Sequence, residues 1–217
     1  MSIPWYLRMA APTLDLSRRV GSTTMDQAAG RSFRDRVAGA LLAPLEAPDV
    51  HEVPPGTALA AVLVPVLMAG GDVRVVFTRR TGTLSRHAGE ISFPGGLAEP
   101  DEELPAAALR ESEEELGLAP ADVELVGALP SVHTRVTGIL IVPFVGLLHA
   151  PPRFTPNEAE IAEILEFPLA QLMAATTERE FEFESRRFRT FVFDMEGQVI
   201  WGATARILHS FLELLSE

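Results

Sequence analysis

Gly96-Leu97-Ala98-Glu99-Pro100-Asp101-Glu102-Glu103-Leu104-Pro105-Ala106-Ala107-Ala108-Leu109-Arg110-Glu111-Ser112-Glu113-Glu114-Glu115-Leu116-Gly117 sets eight acids against the single Arg110. Pro105 suits a first helical turn, the acids before it favour the positive helix end, and Gly117 suits a stop. With Glu111 at the origin of a helical wheel, Glu115 falls at about 40° and Glu114 at about 300°. The three therefore share an arc of roughly 100°. Pro105, Ala108, Leu109, Ser112 and Leu116 fill a separate, mostly apolar face, and Glu113 points elsewhere. Like charges three and four residues apart cost a helix a few tenths of a kcal/mol each, more where partly buried. Arg110 can neutralise one of them, most naturally Glu114. The others ask for a divalent cation, and an all-oxygen set asks for a hard one, Mg²⁺ or Mn²⁺. A solvated acidic surface is the plainer alternative. A Pro-Gly-Gly loop before the helix and a Gly stop after it argue against that.

Working outward, 217 residues suit one domain with room for an appendage. The net charge of −12 repels nucleic acid and acidic membranes. Cys is absent, which removes disulfides, thiolate metal sites and thiol catalysis. All basic residues are Arg, so Schiff-base chemistry and a Lys phosphate loop are excluded too. The weakly polar runs 58–71 and 138–148 are too short to span a bilayer and read as buried strands, each with a central Pro. Residues 1–30 lack a sustained period and an apolar signal core, and read as a mobile extension to a domain over 31–217. The expected location is cytoplasmic.

Within that domain a helix is expected over 31–42, with Phe33, Val37 and Leu41 on one stripe. Strands are expected at 60–68 and 73–78, joined by Ala69-Gly70-Gly71-Asp72, and near 123–129 and 139–148. Short helices are expected at 158–165 and 169–175. A hairpin should flank Met195-Glu196-Gly197, and a helix over 203–215 should close the chain. Elements interleave without a regular βαβ rhythm, which favours a mixed sheet with helices on its faces.

Gly96, Glu102 and Arg110-Glu111-Ser112-Glu113-Glu114-Glu115-Leu116-Gly117 together resemble the Nudix box of hydrolases that act on nucleoside diphosphates linked to another moiety. The resemblance implies an α/β (α+β type) fold, an α/β/α sandwich around a mixed β-sheet. It implies metal ligands at Glu111, Glu114, Glu115 and the Gly96 carbonyl. Arg110 would hold the carboxylates, and Glu102 would brace the loop. Ser112 departs from the usual bulky aliphatic, a change expected to affect packing. A diphosphate brings negative charge to an acidic helix, so cations are needed between the two.

Thr78-Arg79-Arg80-Thr81-Gly82-Thr83-Leu84-Ser85-Arg86-His87-Ala88-Gly89-Glu90-Ile91-Ser92-Phe93-Pro94-Gly95-Gly96 is similar to the segment that distinguishes coenzyme A diphosphatases. Thr81 stands where Ser is usual, and Ser85 where that group carries Arg, with Arg86 one residue on. Arg80, Arg86, His87 and Phe93 are the implied substrate-binding residues; Arg forks suit phosphate oxygens. Some of these Arg could instead balance nearby acids. Asn157-Glu158-Ala159-Glu160-Ile161 resembles a downstream element of the same group, with Glu160, ahead of Glu158, as a base or additional metal ligand. Trp201-Gly202-Ala203-Thr204-Ala205 resembles its closing segment and reads as packing.

The expected reaction is Mg²⁺- or Mn²⁺-dependent hydrolysis of a diphosphate by direct water attack. Glu114, Arg110 and Glu160 form the catalytic set, and coenzyme A or an acyl-coenzyme A is the substrate. A diphosphatase for ADP-ribose, a dinucleotide or a modified nucleoside triphosphate stays open, as does a non-catalytic nucleotide sensor. The partner is a small nucleotide, with no nucleic acid or membrane, and a homodimer is compatible with the sequence.

Overall fold

The computed structural model describes residues 33–35, 37, 39, 53, 56–69, 72–82, 89–134, 138–183 and 186–216, without the side chains of 69, 181–183 and 186–188. The expected extension over 1–30, the turn at Gly70-Gly71, and Leu41, Ser85, Arg86 and His87 lie outside the described residues.

Two apolar runs make the centre. Strands β1 (Leu59–Ala69) and β7 (Leu140–Leu148) pair in parallel from Leu59↔Leu140 to Leu67↔Leu148. Parallel strands buried on both faces read as continuous hydrophobic sequence, which both runs are. Their prolines fall where no ladder donor is needed. The Leu63 amide donates to the Pro94 carbonyl at 2.9 Å, so Pro65, two residues on, faces the same edge. That edge pairs with β4 (Gly95–Leu97) up to Val62 and with β2 (Asp72–Arg80) from Val66, and Pro65 sits between them. Pro143 is the mirror case on β7. Its carbonyl accepts the Leu129 amide at 2.9 Å, between the pairings with β5 (Glu124–Ala128) and β6 (Val132–His133). A proline inside a central strand is tolerated at such gaps because the missing N–H leaves no acceptor unpaired.

The eight-stranded sheet is completed by β3 (Ile91–Ser92) and β8 (Ile161–Pro168), both antiparallel to β2. Side-chain alternation then sorts the core into two layers. Ala61, Leu63, Leu67, Val76, Val142, Phe144 and Leu148 meet α1 (Leu104–Leu116) through Leu104, Ala107, Ala108 and Leu116. Val62, Val64, Val66, Val75, Phe77, Val145 and Leu147 face the other side, against Ile207, Leu208 and Phe211 of α3 (Gly202–Leu214). Phe33 and Val37, both helical and buried, join that second layer. The expected α/β/α sandwich with a mixed sheet is thus the observed fold.

Two elements differ from expectation. Residues 161–168 are strand β8, not part of a helix; only a turn at 158–160 precedes them. The spacing of Ile161, Ile164, Leu165 and Phe167 imitates a helical face because of a bulge. Arg79 pairs with Glu163 while Arg80 pairs with Ile161, so Ala162 is the extra residue that breaks the twofold alternation. The expected hairpin exists as β10 (Arg186–Met195) and β11 (Gln198–Ile200), but a further strand, β9 (Thr176–Phe183), lengthens it into a three-stranded sheet. Short helix α2 (Leu169–Ala174) stands as expected.

Ser112 is buried on the apolar face of α1, and its hydroxyl donates to the Ala108 carbonyl at 2.6 Å. That bond satisfies a polar group at a site suited to an aliphatic one, while back-bonding of this kind slightly weakens a helix. Ala has the better helix propensity by about 0.5 kcal/mol. Ser112→Ala is therefore expected to be neutral or to stabilise by up to about 0.5 kcal/mol in urea unfolding; a loss above about 1 kcal/mol would show the hydroxyl to be needed.

Candidate active site

The helix α1 presents its acids to the loop before it, and glycine makes the approach close. Gly95 has φ 149°, and a Cβ there would lie 2.3 Å from the Ala61 carbonyl oxygen. A Cβ on Gly96 would lie 2.5 Å from the Glu111 carboxyl carbon. Only the absence of side chains lets β4 run between β1 and the helix. Gly117 stops the helix in the left-handed region at φ 66°, and its amide donates to the Glu113 carbonyl at 2.8 Å.

Arg110 is the hub of the exposed half of the site. Its Nε and Nη2 donate to the two Glu102 oxygens at 2.8 and 3.0 Å, a bidentate fork. Nη1 donates to Glu111 at 2.8 Å and to Glu114 at 3.3 Å, and Nη2 also reaches the Leu97 carbonyl at 3.3 Å. The i+4 pairing with Glu114 is present, but Glu102 and Glu111 hold the guanidinium more closely. Glu102 accepts the Glu99 amide as well, at 2.9 Å, so one carboxylate braces the loop and anchors the arginine. Hydrogen bonds from Arg110 hold its carboxyl below the usual carboxylate range.

Glu115 forms the buried half. At 3% exposure it accepts the Gly95 amide at 3.2 Å and Nη1 of Arg80 at 3.3 Å. Burial pushes its carboxyl up to about 7, against the pull of the Gly95 hydrogen bond and the Arg80 charge. Glu111 and Glu160 raise it further.

The turn bearing Glu160 is fastened to the end of the helix. Thr155 and Asn157 amides donate to the Leu116 and Glu115 carbonyls at 2.7 and 2.9 Å, satisfying acceptors that a helix end leaves open. The Asn157 side chain accepts the Ala159 amide at 3.2 Å, and Glu160 follows, with its carboxylate 3.9 Å from Nη2 of Arg80. The Thr81 amide donates to the Glu160 carbonyl at 2.8 Å and its hydroxyl to the Ala159 carbonyl at 3.2 Å. Gly89 and Glu90 close the other side through the Arg80 backbone. The base of the 81–90 loop is thereby rooted beside Glu115.

The structure thus brings together Arg80, Gly96, Glu102, Arg110, Glu111, Glu114, Glu115 and Glu160. It does not bring Phe93 to the site. Phe93 is 3% exposed and stacks on Phe77 at 4.7 Å between ring centroids, in the core layer away from α1. Its expected contact with substrate is replaced by a packing role, because the ring is worth more in the core than on a polar cleft. Gly95, Thr81 and Asn157 stand within the quoted motifs without a site role of their own, yet each fixes the site by hydrogen bonds to or from backbone groups; the Gly-Gly pair and the Asn two residues before Ala159 are the sequence signals for this.

Among the described residues, no three acidic or His side chains already converge as a metal cage. Arg110 draws Glu111 and Glu114 to one side while Arg80 and Gly95 hold Glu115 on the other. The groups present nonetheless fit a hard dication. All are oxygen donors, Glu111 fills the space a Gly96 side chain would occupy, and Glu115 is desolvated beyond what one guanidinium offsets.

A NUDIX domain model matches residues 57–190. A protein named Nudix hydrolase NudL, uncharacterized, from Pectobacterium atrosepticum is 38% identical over 161 residues, covering 73% of this chain and 83% of that protein. Its namesake from Photorhabdus laumondii is 35% identical over 157 residues, covering 71% and 83%. A MutT/nudix family protein from Enterococcus faecalis superposes with a TM-score of 0.53 at 14% identity, over 89% of this chain and 76% of that one.

A carboxyl raised from 4.5 to about 7 keeps in the fold a proton that the unfolded chain releases. Its stabilising contribution is complete below 4.5 and is lost as pH rises through about 7. Without added metal, Glu115→Gln is expected to match the wild type in urea midpoint at pH 5 and to exceed it at pH 8. A difference independent of pH would refute the raised carboxyl.

Proposed function

The chain belongs to the NUDIX domain family and is a Nudix hydrolase, and on that premise we propose that it cleaves the diphosphate of coenzyme A or an acyl-coenzyme A. The products are 3′,5′-ADP and 4′-phosphopantetheine or its acyl form. The observation that carries this reading is the shared space of the Glu111 carboxylate and Gly96, with buried Glu115 alongside. It brings a helix carboxylate against the loop backbone, which supports a metal-dependent reaction.

In this reading Glu111, Glu114, Glu115 and the Gly96 carbonyl hold Mg²⁺ or Mn²⁺. A divalent cation there supplies charge neutralisation at the diphosphate and acidifies water. Arg110 keeps Glu111 and Glu114 oriented, and Glu102 keeps Arg110 in place. Glu160, half-exposed on a turn bonded to the helix end, takes the proton from the attacking water. Arg80 stands at the root of the loop carrying Arg86, which takes the part of the arginine that coenzyme A diphosphatases carry one residue earlier, at Ser85, and His87, a further hydrogen-bonding group for phosphate. A 3′-phosphate beyond the diphosphate gives these guanidinium groups an anion to fork. The substrate is a small nucleotide met in the cytoplasm, and among the described residues no helix is long and apolar enough to cross a membrane.

The test is a panel of coenzyme A, 3′-dephospho-coenzyme A, ADP-ribose, NADH and 8-oxo-dGTP with Mg²⁺ or Mn²⁺, with products identified by chromatography. Coenzyme A is expected to be turned over best. Preference for the dephospho form removes the 3′-phosphate pocket, preference for ADP-ribose moves the assignment to another diphosphatase, and no turnover of any compound favours a sensor. Glu114→Gln is expected to lower kcat by about a hundredfold or more with an unchanged melting temperature; a near-normal rate would take Glu114 out of the reaction.

A further inference from the structure

The two guanidinium groups of the site are held very differently. Arg110 makes its five contacts to Glu102, Glu111, Glu114 and the Leu97 carbonyl, three of them at 3.0 Å or less. It is a fixed strut. Arg80 reaches its carboxylates at 3.3 Å (Glu115) and 3.9 Å (Glu160), the second beyond hydrogen-bond length. Its backbone, by contrast, is fixed on both sides, with its amide donating to the Glu90 carbonyl at 3.0 Å and its carbonyl accepting the Gly89 amide at 3.1 Å. The Ala162 bulge of β8 lies directly opposite Arg79 and Arg80, and bulges beside active sites re-aim side chains. Arg79 donates to Glu163 and the Gly89 carbonyl instead, so of these two neighbours it is Arg80 that enters the carboxylate cluster.

We propose that Arg80 is an internal stand-in for the divalent cation, holding Glu115 and Glu160 in the metal-free protein and passing to the substrate's phosphate oxygens when metal takes Glu115. This rests on the hydrolase reading above and adds to it an order of events, metal before nucleotide. A dication attracts the same carboxylate twice as strongly as a guanidinium at equal distance, so the exchange runs in that direction. The released fork, anchored by its fixed backbone and a flexible three-carbon stem, then meets an anion at the mouth of the same cluster. Holding the guanidinium there beforehand keeps Glu115 from being buried without a counter-charge, the arrangement that costs most. No bond forms or breaks in the exchange.

The experiment reads binding, not turnover. At mildly alkaline pH, Mn²⁺ alone is titrated by electron paramagnetic resonance into the wild type, Arg80→Gln and Arg80→Lys. α,β-Methylene-ADP, which cannot be hydrolysed at that bridge, is then titrated calorimetrically with saturating Mg²⁺. Arg80→Gln is expected to bind Mn²⁺ at least about fivefold more tightly and the nucleotide at least about fivefold more weakly. Arg80→Lys is expected to stay within about twofold of the wild type for Mn²⁺. Opposite signs in one variant are not what a packing defect produces. Unchanged or weaker Mn²⁺ binding in Arg80→Gln overturns the stand-in role while leaving the hydrolase reading intact; absence of Mn²⁺ binding by the wild type overturns both.

Discussion

Crowded like charge on one edge of α1 is the constraint around which the rest of this molecule is arranged. Glu111, Glu114 and Glu115 repel one another, and Glu115 is also taken out of water. The protein contains that repulsion with two arginines and a backbone amide, from three different elements. Arg110 comes from the helix itself, Arg80 from the end of β2, and the Gly95 amide from the loop. Burial outweighs the Gly95 hydrogen bond and the Arg80 charge, and the Glu115 carboxyl stays raised.

That arrangement explains features of the scaffold with no chemistry of their own. A helix that must bring carboxylates against a loop needs a loop without side chains, hence Gly95 and Gly96. The loop must in turn be fixed, and β1 does so through Val62↔Gly95 and Ala61↔Gly96. Continuing β1 past that point requires a change of partner from β4 to β2, and Pro65 occupies the changeover. Pro143 does the same on the neighbouring strand. Two prolines that would disqualify ordinary central strands thus mark where the sheet exchanges neighbours on either flank of the parallel pair.

The parts of this design that lie within one element were legible in the sequence. The helix wheel alone gathers Glu111, Glu114 and Glu115, and the Gly stop and buried Ser112 stand where spacing placed them. Phe33 and Val37 share a buried stripe for the same reason. What depends on pairing between distant segments was not legible. The bulge opposite Arg79 and Arg80 gives β8 a helix-like spacing, and residues 158–168 alone do not reveal it because a bulge is defined only by the pairing with β2. Phe93 sits in a motif rich in polar groups, and only the stacking on Phe77 turns it inward. Strand β9 alternates Glu and Phe only over Glu180-Phe181-Glu182-Phe183, and it becomes a strand through its register with β10.

The fastening of the 155–160 turn to α1 connects these two kinds of information. Its amides complete the helix end at Leu116 and Glu115, and its carbonyls at Ala159 and Glu160 receive Thr81. The helix end is therefore linked to the base of the 81–90 loop through backbone hydrogen bonds of 2.7–2.9 Å, with the Thr81 hydroxyl adding one more at 3.2 Å. The base of the loop that resembles a coenzyme A recognition segment is consequently hydrogen-bonded, through the 155–160 turn, to the end of the helix that resembles a metal-binding box. Such coupling is what a diphosphatase requires: its nucleotide-gripping and bond-cleaving groups must keep a common frame while the substrate spans them.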